Sequence, residues 1–398
     1  MNKVWYISKY AGTPNKGGPI RQYLFSKHFA LKGYETVLIS SNSNGFEYKK
    51  FKKNFILYEK PQFKHYVLKG AKINLGFNIK RIISWLLFEV RLRKFLKNQD
   101  ISSTDTVIVS SLSILTFLTG IYLKRKYGIN LIVEVRDVWP LSLIDLKNLS
   151  KYNPFVMALS AIEKKGYKEA NYIVGSMGNL GEHIKNVVPG YENKYRYIPM
   201  GLDKSVLGKS IDKKRVTTTD FILGYAGSIG ISNKIDLILE AANILKTDSR
   251  IKFKILGDGV LKEFYENKYK ELKNVEYLPS VKKNEVANFL NTCDVLLNPW
   301  EDKSIYDYGV SPNKWIDYMY AAKPIIVAYN GYKNIINEAE CGEFIDTDNP
   351  ELLAKTIVKY SKMSKAELQE IGERGKKYLE DNLTYEKLSD RYIELFNR

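Results

Sequence analysis

Residues 311–324 read SPNKWIDYMYAAKP, and this stretch indicates the fold class more directly than any other. A Gly-Val-Ser-Pro-Asn turn at 309–313 leads into a helical pattern with Lys314 and Asp317, and Pro324 opens an apolar strand pattern. Loop amides and the positive end of a helix favour a phosphate. A carboxylate one turn further along, at Asp317, can accept hydrogen bonds from the two hydroxyls of a ribose. The stretch therefore predicts a helix–strand unit that binds a phosphate and a ribose.

Short apolar runs alternate with helical patterns on both sides of this stretch, which favours parallel, doubly wound sheets. Helices are predicted between the strands, for example over 22–32 and 155–169. The first strand series is VWYIS (4–8), TVLIS (36–40), TVIVS (106–110), NLIVEV (130–135) and NYIVG (171–175). The second is FILGYAG (221–227), KFKILGD (252–258), VEYLP (275–279), DVLLNP (294–299) and PIIVA (324–328).

The stretch 204–220 between the two series is polar and poor in apolar residues, which is typical of a linker. We expect an N-terminal domain over 1–203 and a C-terminal domain over 204–382. A helical segment over 364–396, with a break near 382–384, leaves a C-terminal helix over 383–398 that crosses back to the first domain. Two similar α/β domains are expected to face a central cleft, where the carboxyl ends of their strands bind ligands.

The net charge of +18 is concentrated in the first hundred residues, which hold 20 Lys and Arg against 5 Asp and Glu. Such a surface favours a polyanionic partner, which is an anionic lipid, a nucleic acid or a phosphate-bearing substrate. The alternative is a solvated basic face without a partner. Cys293 and Cys341 fit no metal or redox spacing, so a reduced cytosol is expected, and the N-terminus reads as a strand rather than a signal peptide.

Two apolar stretches raise the question of a membrane. The uncharged run 106–123 contains several Ser and Thr residues and is expected to form a strand and a helix rather than a membrane span. The stretch 78–97 reads NIKRIISWLLFEVRLRKFLK and places Ile82, Ile83, Trp85, Leu86, Leu87, Phe88 and Val90 among six basic residues. It fits an amphipathic helix at a membrane interface, and the alternative is a core helix with a basic outer face.

Two glycine turns precede predicted helices. In the first, KGGPIR, Gly17 and Gly18 allow a close backbone approach, and Arg21 can bind a phosphate or carboxylate. In the second, YAGSIGISNK at 225–234, Gly227 and Ser228 resemble a phosphate turn, with Lys234 near the start of the helix. Plain structural turns are the alternative for both.

Asp137 lies in VEVRDVWPLS (133–142), directly after a strand pattern, and is expected at the carboxyl end of that strand. A carboxylate there can orient a sugar hydroxyl or help to activate an acceptor. The alternatives are a helix cap or an ion pair with Arg136. The three histidines show no metal spacing and no Asp-x-Asp element stands out, so a mechanism without a metal is expected.

Several motifs together resemble a known family. GGPIR, EVRDVWP, EKKGYKEANYIVGSM, YIPMGLD, YAGSIG, LGDG and SPNKWIDYMYAAKPII occur in this order and span nearly the whole chain. The sequence resembles the family-four glycosyltransferases of GT-B fold, and within them the bacterial capsule and O-antigen branch that transfers N-acetylated amino- or deoxyhexoses. The fold implied is two Rossmann-like α/β domains.

The resemblance implies a role for each motif. Gly17 and Gly18 would approach the donor diphosphate or the acceptor, with Arg21 on the acceptor side. Asp137, with Arg136 beside it, would line the reacting sugar. Ser311, Pro312, Asn313 and Lys314 would bind the diphosphate and Asp317 the ribose, and Gly227, Ser228 and Lys234 would form a second phosphate turn.

The activity expected is that of a retaining glycosyltransferase without a metal or other cofactor. It would move a sugar from UDP to a saccharide on undecaprenyl diphosphate. The protein would be cytoplasmic, bound peripherally to the anionic inner face of the plasma membrane, and would have no nucleic-acid partner. Gly309, Ser228, Asn233, Arg136 and Met200 depart from residues common in the family. A UDP-sugar epimerase of the same fold, a nucleic-acid-binding protein and an inactive GT-B protein are the alternatives.

Overall fold

The structure is a computed structural model that describes residues 3–14, 19–43, 52–71, 79–205 and 219–396. The chain divides into two compact units. The first consists of Met1–Pro199 together with Tyr385–Arg398, and the second of Met200–Thr384. The division therefore falls a few residues before the boundary expected at 203, and the last helix belongs to the first unit.

The first unit is built on a sheet in which every adjacent pair of strands is parallel except β3–β4. The order across the sheet is β3-β4-β2-β1-β5-β6-β7-β8. The strands are β1 (Lys3–Ile7), β2 (Glu35–Ser41), β3 (Phe55–Glu59), β4 (Lys64–Leu68), β5 (Thr106–Ser110), β6 (Asn130–Val135), β7 (Tyr172–Gly175) and β8 (Tyr195–Tyr197). The helices are α1 (Arg21–Leu31), α2 (Ile79–Leu96), α3 (Thr116–Tyr127), α4 (Leu141–Lys147), α5 (Pro154–Glu169) and α6 (Leu180–Val187).

The second unit contains an all-parallel sheet with the order β11-β10-β9-β12-β13-β14. Its strands are β9 (Phe221–Ala226), β10 (Ile251–Leu256), β11 (Val275–Leu278), β12 (Val295–Pro299), β13 (Ile325–Ala328) and β14 (Gly342–Ile345). Its helices are α7 (Ile235–Ile244), α8 (Lys262–Lys268), α9 (Lys283–Thr292), α10 (Asn313–Tyr320), α11 (Ile335–Glu338), α12 (Pro350–Ser361) and α13 (Lys365–Asn382). The last helix of the chain, α14 (Tyr385–Ile393), returns to the first unit.

The central strands form because their sequences are apolar on both faces. All residues of β5 and β6 are buried, as are all residues of β12 and β13. This is typical of parallel strands that are covered by helices on both sides. In both units the strand order reverses beside the first strand of the series, β1 or β9, and the carboxyl ends there are a common position for ligands.

Every strand and helix named from the sequence is present, and the expected doubly wound α/β fold class is confirmed. The run 106–123 forms β5, a short 3-10 turn and most of α3, as expected. The sequence reading missed β3, β4, β8 and β14. These strands are three to five residues long, lie at or next to sheet edges, and most of their residues are not fully buried.

Helix α14 is tied to the first unit by aromatic contacts. The ring of Tyr385 lies 5.0 Å from that of Phe25, and the ring of Tyr392 lies 5.4 Å from that of Phe29. Edge-to-face pairs of this kind add to the free energy gained by burial. No helix among the described residues is both long and apolar enough to cross a membrane.

Candidate active site

Helix α10 presents the residues that the sequence singled out in the second unit. Its buried face packs through Trp315, whose indole donates to the Asn298 side-chain oxygen at 2.6 Å. The Tyr318 hydroxyl accepts a hydrogen bond from the Ala226 backbone at 2.8 Å. These contacts attach the helix to the ends of β9 and β12. As a result, its first turn lies beside the turn that follows β9.

Lys314 lies in that first turn and is largely buried. Its Nζ atom donates to the Tyr225 hydroxyl and to the Asn233 side-chain oxygen, both at 3.0 Å, and lies 4.5 Å from the centre of the Tyr225 ring. Burial lowers the pKa of Lys314 to about 7. Among the described residues, no carboxylate forms an ion pair with it. A buried cation held only by neutral groups is suited to binding an anion.

Two glycine turns meet beside Lys314. A Cβ at Gly227 would lie 3.1 Å from Lys314 Nζ, and a Cβ at Gly257 would lie 1.8 Å from the Gly227 carbonyl oxygen. The backbone of Ile229 donates to Asp258 at 2.9 Å and accepts from Leu261 at 3.1 Å. The first turn is therefore fixed by the second. Position 257 requires glycine because the two backbones approach so closely, whereas a Cβ at position 227 would crowd the Tyr225 hydroxyl, at 2.9 Å, and the Lys314 ammonium.

The other predicted phosphate ligands differ in what their side chains do. Ser228 is exposed at the tip of its turn. Lys234 precedes α7 in a left-handed conformation, and its ammonium forms an ion pair with Asp348. The charge of Lys234 is thus balanced by a protein carboxylate. The phosphate contact expected of Lys234 from sequence stays a prediction.

The residues around the start of α10 occupy the positions expected of them. Gly309 has a φ of +96°, Pro312 is extended, and Asn313 is exposed at the start of the helix. The Ser311 hydroxyl accepts a hydrogen bond from the Met200 backbone at 3.2 Å. Residues 311–313 therefore lead directly into the helical turn that carries Lys314.

Asp317 lies on α10 one turn after Lys314 and forms an ion pair with Lys283, at the first position of α9. Burial raises the pKa of the Asp317 carboxyl group, and the charge and hydrogen bond of Lys283 oppose that shift. The side chain of Lys283 is half exposed. Sequence reasoning did not include Lys283, because it lies far from Asp317 along the chain and no local pattern marks it.

In the first unit, the structure gives Arg21 a structural role in place of the ligand role expected from sequence. Its guanidinium is fully buried and donates to Glu134 at 2.9 Å, to the Ile198 carbonyl at 2.7 Å and to the Pro199 carbonyl at 2.5 Å. The Nε atom donates to Glu134, the Nη2 atom to the Ile198 carbonyl and the Nη1 atom to the Pro199 carbonyl. Arg21 therefore fixes the residues that follow β8 to β6. The predicted Gly17 and Gly18 lie outside the described residues.

Asp137 and Arg136 follow β6 at its carboxyl end, as expected. The Ser111 hydroxyl accepts hydrogen bonds from the Arg136 backbone at 2.8 Å and from the Asp137 backbone at 3.4 Å. Asp137 is exposed, yet the protein packed around it raises the pKa of its carboxyl group, while the charges of Arg136 and Arg81 lower that pKa. Because the Asp137 carboxyl group remains in contact with water, the rise in its pKa is limited.

A group of side chains that the sequence reading missed surrounds this position. The Tyr10 hydroxyl accepts hydrogen bonds from Trp85 at 2.7 Å and from Arg81 at 3.3 Å, and the Trp85 ring lies 5.3 Å from that of Trp139. Lys9 follows β1, is buried, and donates to Ser43. The position of Lys9 and Tyr10 directly after a buried strand was the available signal, since ligands bind at carboxyl ends of such strands.

No group of three or more His, Cys, Asp and Glu side chains arranged to hold a metal ion occurs among the described residues. Cys293 and Cys341 are buried, and burial raises the pKa of each thiol to about 12. Both cysteines are therefore protonated at neutral pH and belong to the core.

The second unit matches a known family model. Residues 208–378 match the model described as Glycosyl transferases group 1. The matched range includes the two glycine turns, Lys314 and Asp317. Comparison with curated proteins gave no significant match.

Solved structures share the fold along the whole chain. Sucrose-phosphate synthase from Thermosynechococcus elongatus is 12% identical with a TM-score of 0.77, over 100% of this chain and 98% of that one. The E. coli trehalose-6-phosphate protein bound with UDP-2-fluoro glucose is 10% identical with a TM-score of 0.74, over 100% and 99%. S. aureus TarM, in complex with fondaparinux, alpha-GlcNAc-glycerol and UDP, is 13% identical with a TM-score of 0.65, over 100% of both chains. At these identities the likeness establishes the GT-B fold alone.

Proposed function

We propose that this chain, a glycosyltransferase whose second unit carries a group 1 glycosyl transferases domain, moves a hexosamine or deoxyhexosamine from a UDP-sugar to a lipid-diphosphate-linked saccharide. The reaction would belong to the synthesis of capsule, O-antigen or another surface polysaccharide. The observation that carries the proposal is Lys314, a largely buried cation at the start of a helix whose hydrogen-bond partners among the described residues are neutral.

The donor is assigned to the second unit. The UDP diphosphate contacts Lys314, the backbone of residues 311–313 and the Gly227 turn, where a helix N-terminus and a cation favour negative charge. Asp317 accepts hydrogen bonds from the ribose, and Lys283 orients its carboxylate. The positive charge that UDP needs as a leaving group comes from Lys314 and the helix, so the proposed reaction uses no metal. Structures of the same fold that contain UDP or a UDP-sugar support a UDP-sugar as the donor.

The acceptor is assigned to the carboxyl edge of the first unit's sheet, where Asp137 is exposed. The acceptor hydroxyl attacks the anomeric carbon on the face from which UDP departs, and the configuration is retained without a covalent enzyme intermediate. The proton of the acceptor hydroxyl passes to the departing diphosphate oxygen. Asp137 orients the reacting sugar.

Helix α2 supports the membrane part of the proposal. Ile83, Leu86 and Val90 recur at helical spacing and are 49%, 54% and 67% exposed. The side chains of Lys80, Arg93, Lys94 and Lys97 are exposed on the same helix and directly after it. Not every apolar residue named from the sequence belongs to this outer face, because Trp85 and Phe88 are buried in the core.

An apolar stripe with exposed basic residues around it suits the headgroup region of an anionic bilayer. We therefore place α2 on the cytoplasmic face of the plasma membrane, where a lipid-linked acceptor is available.

The test begins with the melting temperature of the full chain in the presence of a panel of UDP-sugars. One UDP-hexosamine or UDP-deoxyhexosamine is expected to raise it, and Asp317→Ala is expected to remove that increase, while Asp346→Ala at an exposed position leaves it unchanged. The responding donor is then incubated with an undecaprenyl-diphosphate-linked saccharide in anionic vesicles, and UDP release and the anomeric configuration of the product are measured.

A panel in which no UDP-sugar raises the melting temperature would contradict the proposed donor site. Interconversion of UDP-sugars without an acceptor would identify an epimerase instead. Transfer with inversion would exclude the proposed mechanism and leave the donor assignment intact.

A further inference from the structure

The carboxyl edge of the first unit's sheet carries an arginine with two side-chain nitrogens that have no hydrogen-bond partner in the described part of the chain. The Nε and Nη1 atoms of Arg136 are buried and have no hydrogen-bond partner among the described residues. Asp137 is its neighbour in sequence, yet no described carboxylate forms an ion pair with Arg136. A buried donor of a charged group without an acceptor costs considerable free energy, so such groups mark positions where a ligand completes the bonding.

The backbone of Arg136 is held in place. Its amide donates to the Ser111 hydroxyl at 2.8 Å, and that hydroxyl donates in turn to the Asp137 carbonyl at 3.3 Å. Ser111 follows β5 and Arg136 follows β6, two strands that pair in register. The base of the arginine side chain is therefore fixed at the edge where Asp137 is exposed.

A second arginine adds positive charge to the same edge. Arg81 on α2 donates to the Tyr10 hydroxyl at 3.3 Å and lies over the rings of Tyr10 and Trp85. Burial raises the pKa of the Asp137 carboxyl group, and the charges of Arg136 and Arg81 oppose that shift, so both arginines act on the same carboxyl group. Burial, with the charge of Arg81 added, lowers the pKa of Lys9 to about 7.

The anionic groups here do not balance these cations. Asp137 is exposed, and Glu89 is buried with its carboxylate accepting from Thr116 at 3.1 Å and Thr119 at 2.6 Å. Burial raises the pKa of Glu89 to about 7, so it is about half protonated at neutral pH. Arg81 and Arg136 thus exceed the nearby negative charge, and Lys9 is itself only partly protonated at neutral pH.

We propose that the acceptor is an anionic saccharide whose carboxylate or phosphate binds to Arg136, with Arg81 adding to the attraction. Arg136 selects an acceptor that carries an anionic group. It also sets the distance between that group and the acceptor hydroxyl that lies at Asp137. The partly exposed Trp139, packed edge-to-face on Trp85, offers an apolar wall for a sugar ring. This inference rests on the proposed function, because it concerns the acceptor of that reaction.

The test measures binding of matched sugars to the full chain saturated with UDP. Glucose is the neutral probe, glucuronate carries a carboxylate, and glucose 1-phosphate and glucose 6-phosphate carry a phosphate. Titration calorimetry or ligand-observed NMR is expected to show that at least one anionic sugar binds about tenfold or more tightly than glucose. The sugar that binds with the highest affinity shows whether a carboxylate or a phosphate is the recognised group.

Arg136→Gln is expected to abolish this preference, and Arg136→Lys to retain part of it, since lysine keeps the charge without the planar guanidinium. The matched control is Arg196→Gln, at an exposed position on β8, which should keep the full preference. The affinity for UDP and the melting temperature are measured on each variant to confirm that it is folded.

Equal binding of neutral and anionic sugars to the unaltered chain, or a preference that survives Arg136→Gln, would overturn the anionic-acceptor inference while UDP binding upholds the proposed function. Failure of the unaltered chain to bind UDP would instead overturn the proposed function and, with it, the acceptor role of this edge.

Discussion

The Nζ atom of Lys314 lies 3.0 Å from the hydroxyl of Tyr225, and this phenol stays neutral because burial raises its pKa well above the usual value. The second partner of Lys314, the amide oxygen of Asn233 at 3.0 Å, is also neutral. The two groups orient the ammonium without neutralising its charge. This pair distinguishes Lys314 from Lys234, whose charge is balanced by Asp348.

Lys314→Met should reduce the affinity for UDP by about 2–3 kcal/mol, which corresponds to roughly 30- to 150-fold, because a charge-assisted contact to the diphosphate is lost. Isothermal titration of the full chain with UDP measures the change. Lys270→Met, at an exposed position in the same unit, serves as the control and should leave the affinity unchanged. An unchanged affinity in Lys314→Met would show that the diphosphate binds elsewhere.

A rise in pH should weaken UDP binding and increase the stability of the fold. Since the folded-state pKa of Lys314 is lowered to about 7 from 10.5, the unfolded chain binds more protons between these values. The contribution of Lys314 to stability therefore rises with pH from about 7 to 10.5. UDP binding requires the ammonium, so UDP affinity should fall as pH rises over the same window.

These two effects can be separated with the same variant. Lys314→Met should be at least as stable as the unaltered chain at pH 6, because it removes a buried charge. Its residual UDP affinity should also lose most of the pH dependence above pH 7. Melting temperatures and UDP titrations at pH 6 to 9 test both points, and identical pH profiles of the two proteins would contradict the assignment.

Arg21→Gln should destabilise the first unit by about 3–5 kcal/mol, because it leaves Glu134 as a buried charge without its partner. Thermal unfolding measures this effect. The double variant Arg21→Gln with Glu134→Gln should recover part of the loss, since no buried charge then remains. Normal stability of Arg21→Gln together with a raised KM for the acceptor would instead support the ligand role expected from sequence.

Gly257→Ala should destabilise the second unit and weaken UDP binding together. The added Cβ would lie 1.8 Å from the Gly227 carbonyl oxygen, so the turn beside Lys314 must shift. An effect of about 1–3 kcal/mol is expected from overpacking. Gly181→Ala is the control, because its Cβ meets nothing nearer than 3.5 Å. Melting temperature and UDP titration are compared for both.

Replacing Ile83, Leu86 and Val90 by Ser should release the chain from anionic vesicles. Burial of these three side chains supplies the apolar part of the binding energy, and each basic residue near the surface adds about 1 kcal/mol. Vesicle sedimentation of the full chain measures the effect. Val260→Ser, at an 85% exposed apolar position in the second unit, should bind as the unaltered chain does. Undiminished sedimentation of the triple variant would exclude α2 as the contact.

The sequence predicted the architecture well because its signals are local. The runs TVIVS and NLIVEV are apolar throughout and form β5 and β6, whereas the short edge strand β14 carries no such run. The helix with Lys314 and Asp317 was recognised from its turn and its spacing. The positions of Asp137 and Gly227 at the ends of strands followed from the same patterns.

The roles of the charged side chains were harder to predict. Arg21 looked like a ligand residue because it follows a glycine turn, yet its partner Glu134 lies 113 residues away. Likewise, Lys283 at the start of α9 forms an ion pair with Asp317 on α10, and no pattern in either segment predicts the pair. The sequence predicted an amphipathic helix that contains Arg81 and Trp85. Their hydrogen bonds to Tyr10 depend on the tertiary fold.

The sequence by itself determined the two α/β units, the glycine turns and the helix that begins at Asn313, because strand, turn and helix preferences depend on neighbouring residues. The tertiary structure decided which cations retain a charge for a ligand. Lys314 and Arg136 retain it, whereas Arg21 and Lys234 are neutralised by carboxylates. The physical reason is that a counterion is set by distance in space, and the order of strands in the sheets determines which distant residues meet.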